Sequence, residues 1–192
     1  HTHYAENCLI TTPFNTYEHS NAEVCGSWWK STVNGDGTPN GYAVYSINGT
    51  SVSNWYYKPV KYDKNFQIRL HWGDAEFGGP YGSYKYNQGG NTIYANVWNA
   101  DKNWKIEAFE DGVKVADMKK MPESTKDAWA LGYHIGVLNR NPNNYSPNCK
   151  HAYVHKIINP QATVEIRATD PFGNIYTQRE IVNNMDTAAS YF

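Results

Sequence analysis

No apolar run in this chain approaches the roughly 20 residues that would cross a bilayer as a helix, and no leader-like segment opens it. Charge of one sign is also missing. Seventeen Lys and Arg stand against 18 Asp and Glu, with no block of either. A basic face for nucleic acid and an electrostatic grip on a membrane are therefore not expected. Cysteine is scarce: Cys8, Cys25 and Cys149 lack CxxC spacing and could form at most one disulfide, so three unpaired and largely buried thiols are expected. There is no GxSxG elbow, no phosphate-binding P-loop and no Rossmann glycine pattern. A starting methionine is absent too, which reads as a piece cut from a longer protein and leaves the compartment open.

Aromatic residues and turn residues are abundant instead, with 16 Tyr, 7 Trp and 15 Gly among 192 residues. Long helical periodicity does not occur. Short alternating runs bounded by turn residues recur, which is the pattern of an all-β domain. "GYAVYSI" and "SVSNWYYKPV" flank Asn48-Gly49, and "KIEAFE" and "VKVADM" flank Asp111-Gly112. Both are two-residue hairpin signals. "ATVEIRATD" and "IYTQREIV" flank a third turn at Pro171 to Asn174. "EVCGSWW" from Glu23 to Trp29, "NFQIRLHW", "NTIYANVW" and "HAYVHKII" also read as strands. One helix is expected over Ser124 to Leu131, capped by Ser124 and stopped by Gly132. The sum is a β-sandwich of eight or more mainly antiparallel strands with at most short helices. Gly73 to Asn91 (six glycines) and Asn139 to Asn148 resist assignment and read as long loops.

The chain opens on "HTHY". His1 and His3 flank one residue, so both imidazoles can reach one metal cluster. Longer segments downstream give that short motif its weight. "CGSWW", "DGTPNGYAVYSING", "WYYK", "ANVWNADKNWKIEAFEDG", "DAWA" and "ATDPFGNIYT" come in order over nearly the whole chain. This set resembles the C-terminal region of bacterial calcineurin-like metallophosphoesterases, whose catalytic domain is followed by a β domain. The resemblance implies that His1 and His3 belong to the family's last metal motif, Gly-His-x-His. It also implies a dinuclear Mn, Fe or Zn centre and a phosphoester substrate in the parent enzyme, with a catalytic domain upstream as partner and a periplasmic or extracellular setting. The family's Asp-x-His, Gly-Asp-x-x-Asp and Asn-His-Asp/Glu motifs do not occur here. Two histidines cannot hold two metals with their bridging carboxylates, so the fragment alone is expected to hold no metal pair and to be inactive.

On this reading residues 1–20 are the tail of the catalytic domain and a connecting segment, and 21–192 are the C-terminal β-sandwich domain. The boundary could lie as late as about residue 60, because metallophosphoesterases place strands after the last histidines. The expected role is that of an accessory domain that packs on the catalytic core and shapes access to the phosphate site. Trp28 and Trp29 would point to opposite faces of their strand, one inward and one toward a partner. Tyr81, Tyr84 and Tyr86 in the glycine-rich loop are candidate contacts to substrate or to the interface. A carbohydrate-binding module is the alternative, since flat rings stack on sugar faces. His151 and His155 would share a helical i, i+4 face only if their stretch were helical, and an ordinary hydrogen-bonded role is the simpler expectation.

Overall fold

The computed structural model describes residues 3–182. Strands hold 43% of the described residues and helices 8%. In chain order the strands are β1 (Glu6–Ile10), β2 (Thr16–Ser20), β3 (Gly41–Asn48), β4 (Ser51–Pro59), β5 (Ile68–Trp72), β6 (Glu76–Gly79), β7 (Gly82–Lys85), β8 (Thr92–Val97), β9 (Lys105–Glu110), β10 (Val113–Asp117) and β11 (Lys119–Lys120). Then come α1 (Ala128–Leu131), a π-helical segment (Gly132–Val137) and α2 (Pro142–Tyr145). The last strands are β12 (Ala152–Lys156), β13 (Val164–Thr169) and β14 (Ile175–Gln178).

Two four-stranded antiparallel sheets, ordered β10-β9-β13-β14 and β11-β12-β8-β5, face each other. Strand alternation explains the core between them. Ile68, Leu70, Ile93, Ala95 and Val97 point inward from one sheet and meet Ile106, Ala108, Val164, Ile166 and Ala168 of the other. The β5–β8 sheet is buried on its second face as well. There Tyr94 and Ala152 pack with Phe77, Tyr86, Trp129 and Tyr133 in a separate core. The expected sandwich is thus present, with a third layer laid over one sheet.

That third layer corrects the reading of Gly73 to Asn91 as a loop. The stretch contains the β6–β7 hairpin, which lies against the π-helical segment. Gly78 and Gly79 allow close contact, whereas Gly82 and Gly89 take positive φ (139° and 86°) in open space. A Cβ on Gly136 would sit 2.3 Å from the Gly82 carbonyl oxygen, so the hairpin could not approach any other residue there.

The helix also differs from expectation. Asp127, not Ser124, is the cap, its carboxylate accepting from the Ala130 amide, and Gly132 does not stop the chain but carries it on into the π-helical segment. The 139–148 stretch holds α2, capped by Asn141.

All three hairpins form. Asp111 and Gly112 both have positive φ (50° and 79°), as a tight two-residue turn requires. At the first hairpin the two turn residues are Gly49 and Thr50, and Asn48 pairs with Ser51. "HAYVHKII" supplies strand β12, so His151 and His155 do not share a helical face. The three cysteines are free, but only Cys149 is buried; Cys8 and Cys25 are half-buried.

The N-terminal hairpin β1–β2 is fastened to the sandwich by polar contacts and by a small core of Ala5, Ala22, Tyr57 and Trp98. Asn7 Nδ2 donates to the Asn99 carbonyl, Tyr17 to Asp101, and Lys150 Nζ lies 2.5 Å from Glu6 Oε1.

Candidate metal-ligand and interface site

The run from Glu23 to Trp29 is a chain of tight turns, not a strand. Gly26 has φ +65°, and a Cβ there would fall 1.9 Å from the Ser31 carbonyl oxygen. Trp28 and Trp29 follow with φ of 54° and 60°, a left-handed backbone that bulky residues rarely adopt. The expected opposition of the two rings across a strand is therefore replaced. Trp28 stacks on the His3 imidazole, with ring centroids 4.4 Å apart and planes 15° from parallel. Trp29 projects outward and is 80% exposed.

His3 is buried, and its Nδ1 lies 2.8 Å from Glu23 Oε2. Glu23 is itself held from behind. Its amide donates to Asn34 Oδ1 at 3.1 Å, and the fully buried Asn34 returns a hydrogen bond from Nδ2 to the Glu23 carbonyl at 3.4 Å. The Cys25 thiol donates to Glu23 Oε2 at 3.1 Å, and burial together with that carboxylate pushes the thiol pKa up. His3, Glu23, Val24, Cys25, Trp28 and Trp29 enclose an open concavity of about 470 Å³. His1 lies outside the described residues.

The chain beyond His3 is anchored by a buried charge network. Asp36 Oδ2 accepts from the Ala5 amide at 2.6 Å and from His151 Nε2 at 3.0 Å. Asn96 spends its Nδ2 on the Asp36 carbonyl (2.8 Å) and on Asp127 Oδ2 (2.9 Å). Its Oδ1 thus faces His151 Nδ1 at 2.8 Å as an acceptor. Both nitrogens of His151 therefore donate, which makes it an imidazolium. Burial opposes that charge, but the Cys149 sulfur and the Asp36 carboxylate outweigh it and raise the pKa to about 10. Arg69, also buried, donates to the Gly37 carbonyl at 2.6 Å and stacks 3.8 Å above Trp129.

The remaining candidates separate cleanly. Tyr86 stacks on Tyr94 at 3.9 Å inside the second core, which removes it from the set of outward contacts. Tyr84 is half-buried, and Tyr81, between β6 and β7, is exposed. His155 pairs with Glu110 at 3.1 Å, and Glu110 also accepts the Ile158 and Asn159 amides. His19 lies 4.2 Å from the Trp55 ring, centroid to centroid, and 3.3 Å from Asn99 Oδ1. Among the described residues, no group of three or more His, Cys, Asp or Glu is arranged to hold a metal ion. Sequence reasoning missed Glu23, Asn34 and Asp36. Nothing local marks Glu23 as the partner of a histidine 20 residues earlier.

The family described as the C terminal of calcineurin-like phosphoesterase matches residues 18–176. The chain belongs to that family. No curated protein and no solved structure matches it. The match covers both sheets, the third layer and the Glu23–Trp29 turn, and it begins after His3. Membership implies an N-terminal catalytic domain as partner, in a family that generally uses two metal ions. The described residues fit a contribution of one ligand to such a centre. His3 has a carboxylate on Nδ1, the arrangement that commonly fixes a metal-ligating histidine. They do not fit a complete centre.

Proposed function

We propose that this calcineurin-like phosphoesterase C-terminal domain is an accessory domain of a metal-dependent phosphoester hydrolase. It packs on the catalytic domain through the face that carries His3, Trp28 and Trp29. His1 and His3 end the catalytic domain's metal motif, so the accessory domain begins at the rim of the metal centre and shapes substrate access from there. The bound metals supply a Lewis acid and an activated water; the residues of this chain orient a ligand and wall the site. On this division residues 1–20 lead out of the catalytic domain and 21–192 form the accessory domain. A secreted, bacterial parent accords with the same resemblance.

One observation carries this reading. The apolar concavity lies directly against His3, and its most exposed wall, Trp29, is a large ring left open to a neighbour. The β1–β2 hairpin adds exposed Leu9, Ile10, Phe14 and Tyr17 close by in sequence. The test is substitution of Trp29 by Ser in the full-length enzyme, with proteolysis as readout. If the face docks on the catalytic domain, limited proteolysis should release the two domains faster than in wild type. An unchanged digestion pattern would remove the interface role.

A further inference from the structure

We propose that Glu23 and Trp28 are positioning residues for His3 as a metal ligand, so that the accessory domain itself sets the geometry of the last metal-binding histidine. The inference rests on the reading of His3 as a ligand in the parent enzyme and goes beyond it. It assigns the orientation of that ligand to residues of the C-terminal domain, not to the catalytic domain.

Three independent restraints act on this short segment. The Glu23 carboxylate lies 2.8 Å from Nδ1 and draws that edge of the ring toward it. On this proposal Nδ1 turns to the carboxylate, Nε2 is the nitrogen left for the metal, and the carboxylate makes it a stronger base. The Trp28 indole lies flat on the ring at 4.4 Å and blocks rotation about the other axis. Two residues on, the Ala5 amide is fixed at 2.6 Å to the buried Asp36 carboxylate, so the backbone cannot slide.

Each restraint is built rather than incidental. Glu23 is clamped on both backbone sides by Asn34, which is completely buried. Trp28 reaches its stacking position through a left-handed backbone (φ 54°) that bulky L residues rarely adopt. His3 also has positive φ (57°), so an unfavourable conformation on each side of the contact is retained. A turn that served only to reverse the chain would not need either.

The experiment uses the full-length enzyme with zinc(II) as probe, measuring affinity by competition with a chromophoric chelator. Variants are Glu23→Ala, Glu23→Gln, Trp28→Leu and, as reference, His3→Ala. Glu23→Ala should weaken zinc binding about 10- to 100-fold, the usual effect of losing the outer partner of a ligating histidine. Glu23→Gln should recover part of that, because its amide oxygen still accepts from Nδ1–H. The melting temperature of the metal-free protein should stay close to wild type, which separates positioning from folding. Wild-type affinity in Glu23→Ala, with weakened affinity in His3→Ala, overturns the positioning role and leaves the ligand reading intact. Wild-type affinity in His3→Ala overturns the ligand reading, and the positioning role falls with it. Should Glu23→Ala fail to fold, nitrogen-15 NMR of the His3 ring in the 192-residue chain decides instead. The Nδ1–H tautomer in wild type, largely kept in Glu23→Gln, is expected; the Nε2–H tautomer in wild type overturns the proposal.

Discussion

Asp36 Oδ2 lies 3.0 Å from His151 Nε2 and takes the Ala5 amide at 2.6 Å, so one carboxylate oxygen joins the N-terminal segment to the residue just before strand β12, 115 residues beyond Asp36. Both partners are essentially inaccessible to water. Removing either one strands a charge in a low-dielectric interior. Asp36→Ala and His151→Ala should each lower unfolding free energy by about 3–5 kcal/mol, measured by urea denaturation. The double variant should cost clearly less than the sum, because the second removal relieves the charge stranded by the first. Additive losses would show that the two residues act independently.

The same pair sets an alkaline limit. A histidine in the unfolded chain titrates near 6.5. His151 is raised to about 10 in the fold, so its stabilisation is complete below about 6.5 and is lost as pH rises toward 10. Denaturation midpoints should fall over that window, and His151→Gln should flatten the fall.

Acid acts through two other histidines with the opposite sign. Burial, aided by the nearby Arg69 charge, holds His71 down to about 3; burial holds His134 down to about 4. Both are neutral in the fold, and the unfolded chain takes up their protons first as pH drops below about 6.5. Stability should therefore be full above that value, decline toward pH 4 and continue to decline toward 3. Each histidine contributes on the order of a few kcal/mol to the loss. Midpoints followed from pH 7 to 3.5 should show a shallower slope in His134→Gln. An identical slope would mean that His134 keeps its usual pKa.

Glycine substitutions should rank by space. Gly136→Ala must push the Gly82 carbonyl from 2.3 Å, and Gly37→Ala meets Asn96 and Asp127 at 2.6 and 2.7 Å while forcing φ +87° on a Cβ. Losses of about 1–3 kcal/mol are expected for each. Gly49→Ala, with φ +61° and nothing within 4 Å, should cost only the backbone penalty of about 1 kcal/mol. Thermal melts of the three variants test the order.

The 192-residue chain should hydrolyse neither bis-p-nitrophenyl phosphate nor p-nitrophenyl phosphate with manganese or zinc supplied, because two histidines lack the bridging carboxylates the reaction needs. A glycan array should stay blank if Trp29 faces a protein. Micromolar binding of a defined sugar, lost in Trp29→Ala with folding intact, would instead establish the carbohydrate-binding alternative.

The β6–β7 hairpin divides into parts that do different things. Deleting 76–88 removes Phe77 and Tyr86 from the second core and should unfold the domain. Tyr81→Ala, at an exposed ring, should change stability by less than about 0.5 kcal/mol. A change in kcat/KM for bulky but not small phosphoesters in that variant would mark Tyr81 as a substrate contact.

Much of the fold was legible because its signals are local. Asp111-Gly112 and the Asp170 turn state their geometry within four residues. Asp170 accepts the Phe172 and Asn174 amides as a turn aspartate should. The errors came where meaning depends on distant partners. Gly78 and Gly79 look like slack in a one-dimensional reading and become contact points only when the hairpin closes and meets the π-helical segment. Trp28 and Trp29 satisfy strand composition, yet Gly26 and the Ser31 carbonyl force a turn that composition does not encode. His3 was legible as a candidate ligand, whereas its support was not, because Glu23 and Asn34 carry no motif of their own.

Tandem tryptophans on left-handed backbone impose opposite demands on one pair of positions. Judged by conformation alone, Gly or Asn would sit more comfortably at 28 and 29. A randomised library at these two codons, sorted only for folded protein, should drift toward those small residues. Sorted for metal retention in the intact enzyme, it should return to an aromatic at 28. The two outcomes from one library would measure how far the turn has been kept for its neighbour at the expense of its own comfort.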